Sequence, residues 1–153
     1  LGKKARYHFF AFESNLYNLK NTNPIVLFVE DSPFIVERMK ELVAEHVKDC
    51  CLFFASTRAE AIQLLKREEP DLIFLDINLP DGNGIDILKW TKYHYPCTKV
   101  VMVSNHSGSF YRNLCENFGA TQFLDKSKDF EKIPSFIAEH LRLTISSAWQ
   151  SEW

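Results

Sequence analysis

No apolar run in this sequence reaches the ~20 residues that a membrane-crossing helix needs. Its first residues lack the pattern of a secretory signal. Neither sign of charge dominates: 18 basic residues face 20 acidic ones, for a net charge of -2. That balance gives no drive toward nucleic acid or a membrane surface. The short basic run "KKAR" at 3–6 reads as a solvated end. Cysteine is scarce, with Cys50, Cys51, Cys97 and Cys115 forming no C-x-x-C pair and no zinc-like spacing. Cys50 and Cys51 are neighbours, a poor geometry for a mutual disulfide. Reduced thiols and a cytoplasmic protein are expected. The five His show no ligand spacing. Internal repeats and low-complexity segments are also missing. No initiator Met heads the chain, so a processed chain or an excerpt from a longer one is expected.

What is present fits one domain of 153 residues with room for a full core. Apolar residues make up 46% and charged residues 25%, ordinary for a globular protein. Phe is used 13 times; much of it is expected in the core, with a few copies marking a contact surface. Residues 1–23 differ in character from the rest and are read as an N-terminal extension. Phe9, Phe12, Leu16 and Leu19 fall at helical spacing, but "RYHFFAF" also suits a short strand. "NTNP" at 21–24 is a breaker.

From Pro24 onward the pattern is regular. "IVLFVE" (25–30), "CLFFAS" (51–56), "DLIFLD" (71–76), "KVVMVSN" (99–105) and "TQFLDKS" (121–127) read as five strands. Helices are predicted between and after them, at 32–47, 57–69, 84–94, 107–120 and within 129–145. Ser32 is placed as N-cap of the first, with Pro33 in its first turn. Thr57 and Glu60 have capping-box spacing. Pro70 stops the second helix and Gly119 the fourth. Pro134 belongs to the first turn of the last. Strands that alternate with helices imply parallel pairing through right-handed crossovers. Strands apolar on both faces imply helices on both sides. The expected fold is an α/β, flavodoxin-like, doubly wound five-stranded sheet of order 2-1-3-4-5. It should span residues 24–145, with 146–153 as a tail that carries Trp149 and Trp153.

In such a sheet, ligands bind beyond the carboxyl ends of the strands. Strand 1 ends in Glu30 and Asp31, strand 3 in Asp76, strand 4 in Ser104, and strand 5 near Lys126. Three carboxylates gathered there repel one another, and they require a cation or a proton. Hard oxygen donors with open positions suit Mg²⁺. A phosphoryl group on Asp76 would need Mg²⁺, Lys126 and a hydroxyl to hold its oxygens. Each residue also has a plainer reading. Asp81 and Asp86 are read as turn or helix caps. Glu30 and Asp31 could cap the next helix, Ser104 could be a loop hydroxyl, Lys126 a surface lysine and Phe123 plain core.

"VEDSP" (29–33), "DLIFLDINLPDGNG" (71–84), "VVMVSN" (100–105) and "GATQFLDKS" (119–127) together resemble the receiver domain of two-component response regulators. The resemblance covers residue 24 to about 143. It implies that Asp76 is the phosphoacceptor and that Glu30 and Asp31 bind Mg²⁺, Asp31 the more directly. The backbone carbonyl of Asn78 would complete the protein's share of the metal shell. Ser104 and Lys126 would hold the phosphoryl group. Phe123 would be the aromatic that swings inward or outward with phosphorylation, and Pro80 and Gly84 would shape the turn after Asp76. The implied donor is a sensor histidine kinase or phosphotransfer protein. The implied output face is helix 4, strand 5 and helix 5, roughly 107–143, used by a downstream protein or a homodimer. Phe110, Tyr111 and Leu114 lie there.

Two departures from the family pattern bear on the site. Ser127 follows Lys126 where the family usually has Pro, so Lys126 reaches the site by a different turn or the loop carries strain. Asn105 and His106 follow Ser104 where a small residue is usual. With Asn78 they are expected to tune the phosphoryl lifetime. A signalling module rather than an enzyme is therefore expected. The first rival is a pseudo-receiver, the same fold used as a protein-interaction module without phosphorylation. A flavodoxin-like redox protein would need a phosphate-cradling loop, and the acidic "VEDSPF" repels phosphate. An aspartyl-phosphate hydrolase would carry a D-x-D motif, which "LDINLPD" lacks. The eight residues after the last helix are too few for a DNA-binding domain, so a stand-alone receiver or a piece of a larger protein is expected.

Overall fold

The computed structural model describes residues 23–106 and 108–141. The expectations for the N-terminal extension and for the Trp-containing tail lie outside these residues.

Each apolar run becomes a strand of one sheet: β1 (Ile25–Val29), β2 (Cys51–Ala55), β3 (Leu72–Leu75), β4 (Lys99–Ser104) and β5 (Gln122–Asp125). All neighbouring pairs are parallel, and the order is β2-β1-β3-β4-β5, as the alternation of strands and helices implied. The helices are α1 (Pro33–His46), α2 (Arg58–Glu68), α3 (Gly84–His94), α4 (Ser109–Asn117) and α5 (Ile133–Leu141).

Successive strand residues point to opposite faces, and here both faces are buried. On one face Leu27, Val29, Ile73, Leu75, Val100 and Met102 pack against Ala61 and Leu65 of α2, Ile87 and Leu88 of α3 and Cys115 of α4. On the other, Val26, Phe28, Leu72, Phe74, Val101 and Val103 meet Met39, Leu42 and Val43 of α1 and Ile133 and Ile137 of α5. This division explains why the strands read as unbroken apolar runs rather than alternating ones. Part of the heavy use of Phe is also explained. Phe54, Phe28 and Phe74 occupy one register row across β2, β1 and β3. Their rings stack at centroid spacings of 5.2 and 5.0 Å.

The helix ends follow local chemistry, with adjustments. Pro33 opens α1, and Ser32 is its N-cap residue without a side-chain cap bond. Thr57 Oγ1 accepts from Glu60 N, while the Glu60 carboxylate reaches back to Ser56 N and Oγ, one residue before the cap. α4 ends earlier than predicted, because Gly119 takes φ +94° and its N–H returns to Glu116 O. The last helix follows a 3₁₀ turn over Phe130–Lys132, and Pro134 falls in its first turn, as expected. A two-stranded ribbon, Asn78–Leu79 with Gly82–Asn83, follows β3 and was not anticipated.

Candidate functional site

Parallel pairing delivers all the strand ends to one rim. Asp76 N donates to Val29 O at the end of β1, and Glu30 N donates to Ala55 O at the end of β2. β4 and β5 are in register with Ser104 opposite Asp125, and Lys126 N donates to Ser104 O. The polar residues at these ends are therefore fixed by the same ladder that builds the sheet.

One carboxylate oxygen each from Glu30, Asp31 and Asp76 lies within 4.8 Å of the others. Glu30 is 2% exposed and Asp76 6% exposed, whereas Asp31 is open to solvent. Lys126 Nζ inserts between the two buried acids, 2.8 Å from Asp76 Oδ2 and 2.5 Å from Glu30 Oε2. Burial pushes the Glu30 carboxyl above its usual range, against the pull of Lys126 and of the Ser32 N–H. Burial works to lower the Lys126 pKa, but the adjoining Asp76 and Glu30 carboxylates outweigh burial and raise it.

The donor set suits a divalent cation. One ammonium faces three carboxylates, which leaves an excess of negative charge where burial weakens screening. Glu30 Oε2, although beside Lys126, makes no properly angled hydrogen bond. Small hard cations that retain water, such as Mg²⁺, match carboxylate oxygens beside an open, solvent-facing ligand.

The surroundings hold Asp76 in place. Asn78 N lies 3.3 Å from Asp76 Oδ1. Gly84 packs directly on the Asp76 backbone: a Cβ there would sit 1.9 Å from Asp76 O. Close approach thus requires glycine at 84, the first residue of α3. Asp81 accepts from Arg58 N and Ala59 N, so it is indeed a cap, but of α2 across the fold rather than of its own turn.

Ser104 is fully buried, and its Oγ accepts from His106 N at 3.1 Å. Asn78 Nδ2 and His106 Nδ1 lie 3.3 Å apart, so these two side chains meet, while Asn105 is exposed. Phe123 is 3% exposed and packs within the core. The guanidinium of Arg112 lies 5.0 Å from its ring centroid, and Arg112 Nη1 donates to Phe123 O. Sequence reading missed Arg112, since no local pattern links a helix residue to a strand residue 11 positions away. Of the residues expected on the output face, Phe110 is 71% exposed, and Tyr111 and Leu114 are partly buried against the core.

Lys126 reaches the acids through a turn built on Asp125, and no cis peptide bond occurs among the described residues. Asp125 Oδ1 accepts from Ser127 N at 2.8 Å and from Ser127 Oγ at 2.5 Å. Asp125 N in turn donates to Asp129 Oδ2. The signal for this turn was present as Asp-x-Ser, an Asx-turn spacing.

Residues 26–138 match the family model of the response regulator receiver domain. The chain is 32% identical over 117 residues to the response regulator protein PilR of Pseudomonas aeruginosa, covering 76% of this chain and 26% of PilR. It is 26% identical to the transcriptional regulatory protein DegU of Brevibacillus brevis, covering 74% of this chain and 48% of DegU. The chain thus spans half or less of these relatives. Among solved structures, it resembles the signal receiver domain of a LuxO-type repressor from Vibrio parahaemolyticus. The TM-score is 0.73 at 32% identity, over 78% of this chain and 91% of the other. A CheY-like receiver domain protein from Methanospirillum hungatei shares the fold, with a TM-score of 0.71 at 23% identity, over 78% of this chain and 94% of the other. Among the described residues no helix is long and apolar enough to cross a membrane.

Proposed function

The chain belongs to the response regulator receiver domain family, a family of signalling modules, and from that premise we propose that Asp76 accepts a phosphoryl group from a phosphohistidine. The donor is a sensor histidine kinase or a phosphotransfer protein. The observation that carries this reading is the meeting of Glu30, Asp31 and Asp76 with Lys126 Nζ at one sheet rim.

An Asp76 carboxylate oxygen attacks phosphorus in line. An O–P bond forms as the P–N bond to the donor imidazole breaks, and the bonding pair leaves with the imidazole nitrogen. Glu30, Asp31, Asp76 and the backbone carbonyl of Asn78 are the groups that would hold Mg²⁺. The ion, when bound, neutralises the anionic phosphoryl oxygens as they approach the acids. Lys126, already bonded to Asp76, moves with the new charge onto a phosphoryl oxygen. Ser104 turns its hydroxyl from His106 N to the same group. The side chains supply position and charge rather than covalent machinery.

The product carries nearly two negative charges where a carboxylate had one. That difference shifts a pre-existing equilibrium of the face made by α4, β5 and α5. Exposed Phe110 is the apolar contact this face offers to a downstream protein or to a second copy. Asn78 and His106, in contact beside the site, and exposed Asn105 tune the lifetime of the aspartyl phosphate.

A second reading, the pseudo-receiver, is favoured by one observation: Phe123 is already buried under Arg112. An output face set in advance needs no phosphoryl trigger. Incubation with acetyl phosphate and Mg²⁺, followed by intact mass measurement, separates the two. The receiver reading expects one added phosphoryl group on wild type and none on Asp76→Asn. A folded wild type that gains none supports the pseudo-receiver.

A further inference from the structure

The Lys126 side chain must cross from the end of β5 to a pair of acids just past β1 and β3, and its direction is set by the backbone that follows it. Lys126 N is tied to Ser104 O on one side. On the other, the buried carboxylate of Asp125 takes both the N–H and the hydroxyl of Ser127 on a single oxygen. Asp129 then closes the loop: its Oδ2 accepts from Asp125 N, and its N–H donates to Asp125 O. Lys132 Nζ holds the other Asp129 oxygen at 2.9 Å. The Asp125 N–H, with Lys132 beside it, keeps the Asp129 carboxyl below its usual range. Proline, the residue usual after this lysine in the family, has no N–H and cannot make the Ser127 bond to Asp125.

Resting on the reading of Lys126 as the cation that follows the phosphoryl group, we propose that Asp125, Ser127 and Asp129 are positioning residues for phosphoryl transfer to Asp76. None of them touches the reacting atoms. They act by fixing the backbone from which Lys126 Nζ reaches Asp76 Oδ2. A small misplacement of a charge-stabilising group costs rate steeply, because its value depends on geometry already being correct.

The test uses the full chain, acetyl phosphate and saturating Mg²⁺, with wild type, Ser127→Ala, Ser127→Thr and Asp129→Asn. Ser127 is exposed, so its variants keep the core intact. The labelling rate at saturating donor should fall about tenfold in Ser127→Ala and in Asp129→Asn. Ser127→Thr, which keeps the hydroxyl, should recover the wild-type rate. The Lys126 ammonium protons, followed by nitrogen NMR, should exchange faster with water in the two slow variants. A loop that merely adds stability would lower melting temperature and leave both readouts unmoved. Wild-type rates in Ser127→Ala and Asp129→Asn overturn the positioning role while leaving the phosphoacceptor reading intact. A folded wild type that takes no label overturns the phosphoacceptor reading itself, and the positioning role with it.

Discussion

Lys126 and Asp76 are bonded directly, Nζ to Oδ2 at 2.8 Å, across 50 positions of the chain. The same ammonium contacts buried Glu30. Truncating one partner of a buried ionic group leaves the others uncompensated. Lys126→Ala should lose about 3 kcal/mol of stability without metal. Mg²⁺ should restore part of it by replacing the missing positive charge. Urea unfolding with and without Mg²⁺ measures both effects. Equal stability of variant and wild type in metal-free buffer would show that the ammonium is not what balances the acids.

Mg²⁺ should stabilise the wild type by binding the folded state alone. At about a hundredfold excess over Kd the gain is about 2.7 kcal/mol. Asp31→Asn and Glu30→Gln should each lose most of that gain, since each removes one oxygen donor of the cluster. Thermal melts across a Mg²⁺ titration check this. A wild-type melting temperature indifferent to Mg²⁺ would exclude the cation site.

Gly84→Ala should destabilise the fold by about 1–3 kcal/mol, the usual cost of inserting atoms into a filled space. The obstruction is backbone, Asp76 O, and not the movable tip of a side chain. The variant should also weaken Mg²⁺ binding, because relief requires Asp76 to shift. Denaturant unfolding and a Mg²⁺ titration on the same sample give the two numbers. A variant as stable as wild type rules out the contact.

Asp81 spans two elements by accepting from Arg58 N and Ala59 N at the start of α2. Those bonds, the one from Arg58 N foremost, hold its pKa below the ordinary aspartate value of 3.8. A carboxylate whose folded pKa is depressed contributes stability above its unfolded value and loses it as pH falls through the folded one. Asp81→Ala should therefore be less stable than wild type at pH 7. The gap should close as pH drops below 3.8. Unfolding curves across that range decide it, and a gap independent of pH would mean that the carboxylate charge is not involved.

The sheet and its acids were legible because each depends on a local pattern. "IVLFV" and "LIFL" are apolar at every position, as a strand covered on both faces requires. Asp76 ends such a run, so its place at the rim follows from the run's own end. Ser127 marked a departure whose resolution was hidden, since the replacement turn needs Asp125 to be buried and Asp129 to close back on it. Asp81 was read correctly as a cap, but its helix begins 23 residues earlier, a distance set by tertiary folding. Arg112 over Phe123 has no sequence signature at all. The end of the fourth helix slipped by a few residues, where Gly119 takes a positive φ and decides it.

The most direct measurement is chemical location of the phosphoryl group. Wild type treated with acetyl phosphate and Mg²⁺ is reduced with borohydride, which converts an aspartyl phosphate to homoserine, and the peptides are read by tandem mass spectrometry. The expected result is homoserine at position 76, absent without Mg²⁺. Homoserine at another aspartate, or unmodified Asp76 in a fully folded sample, would contradict the account.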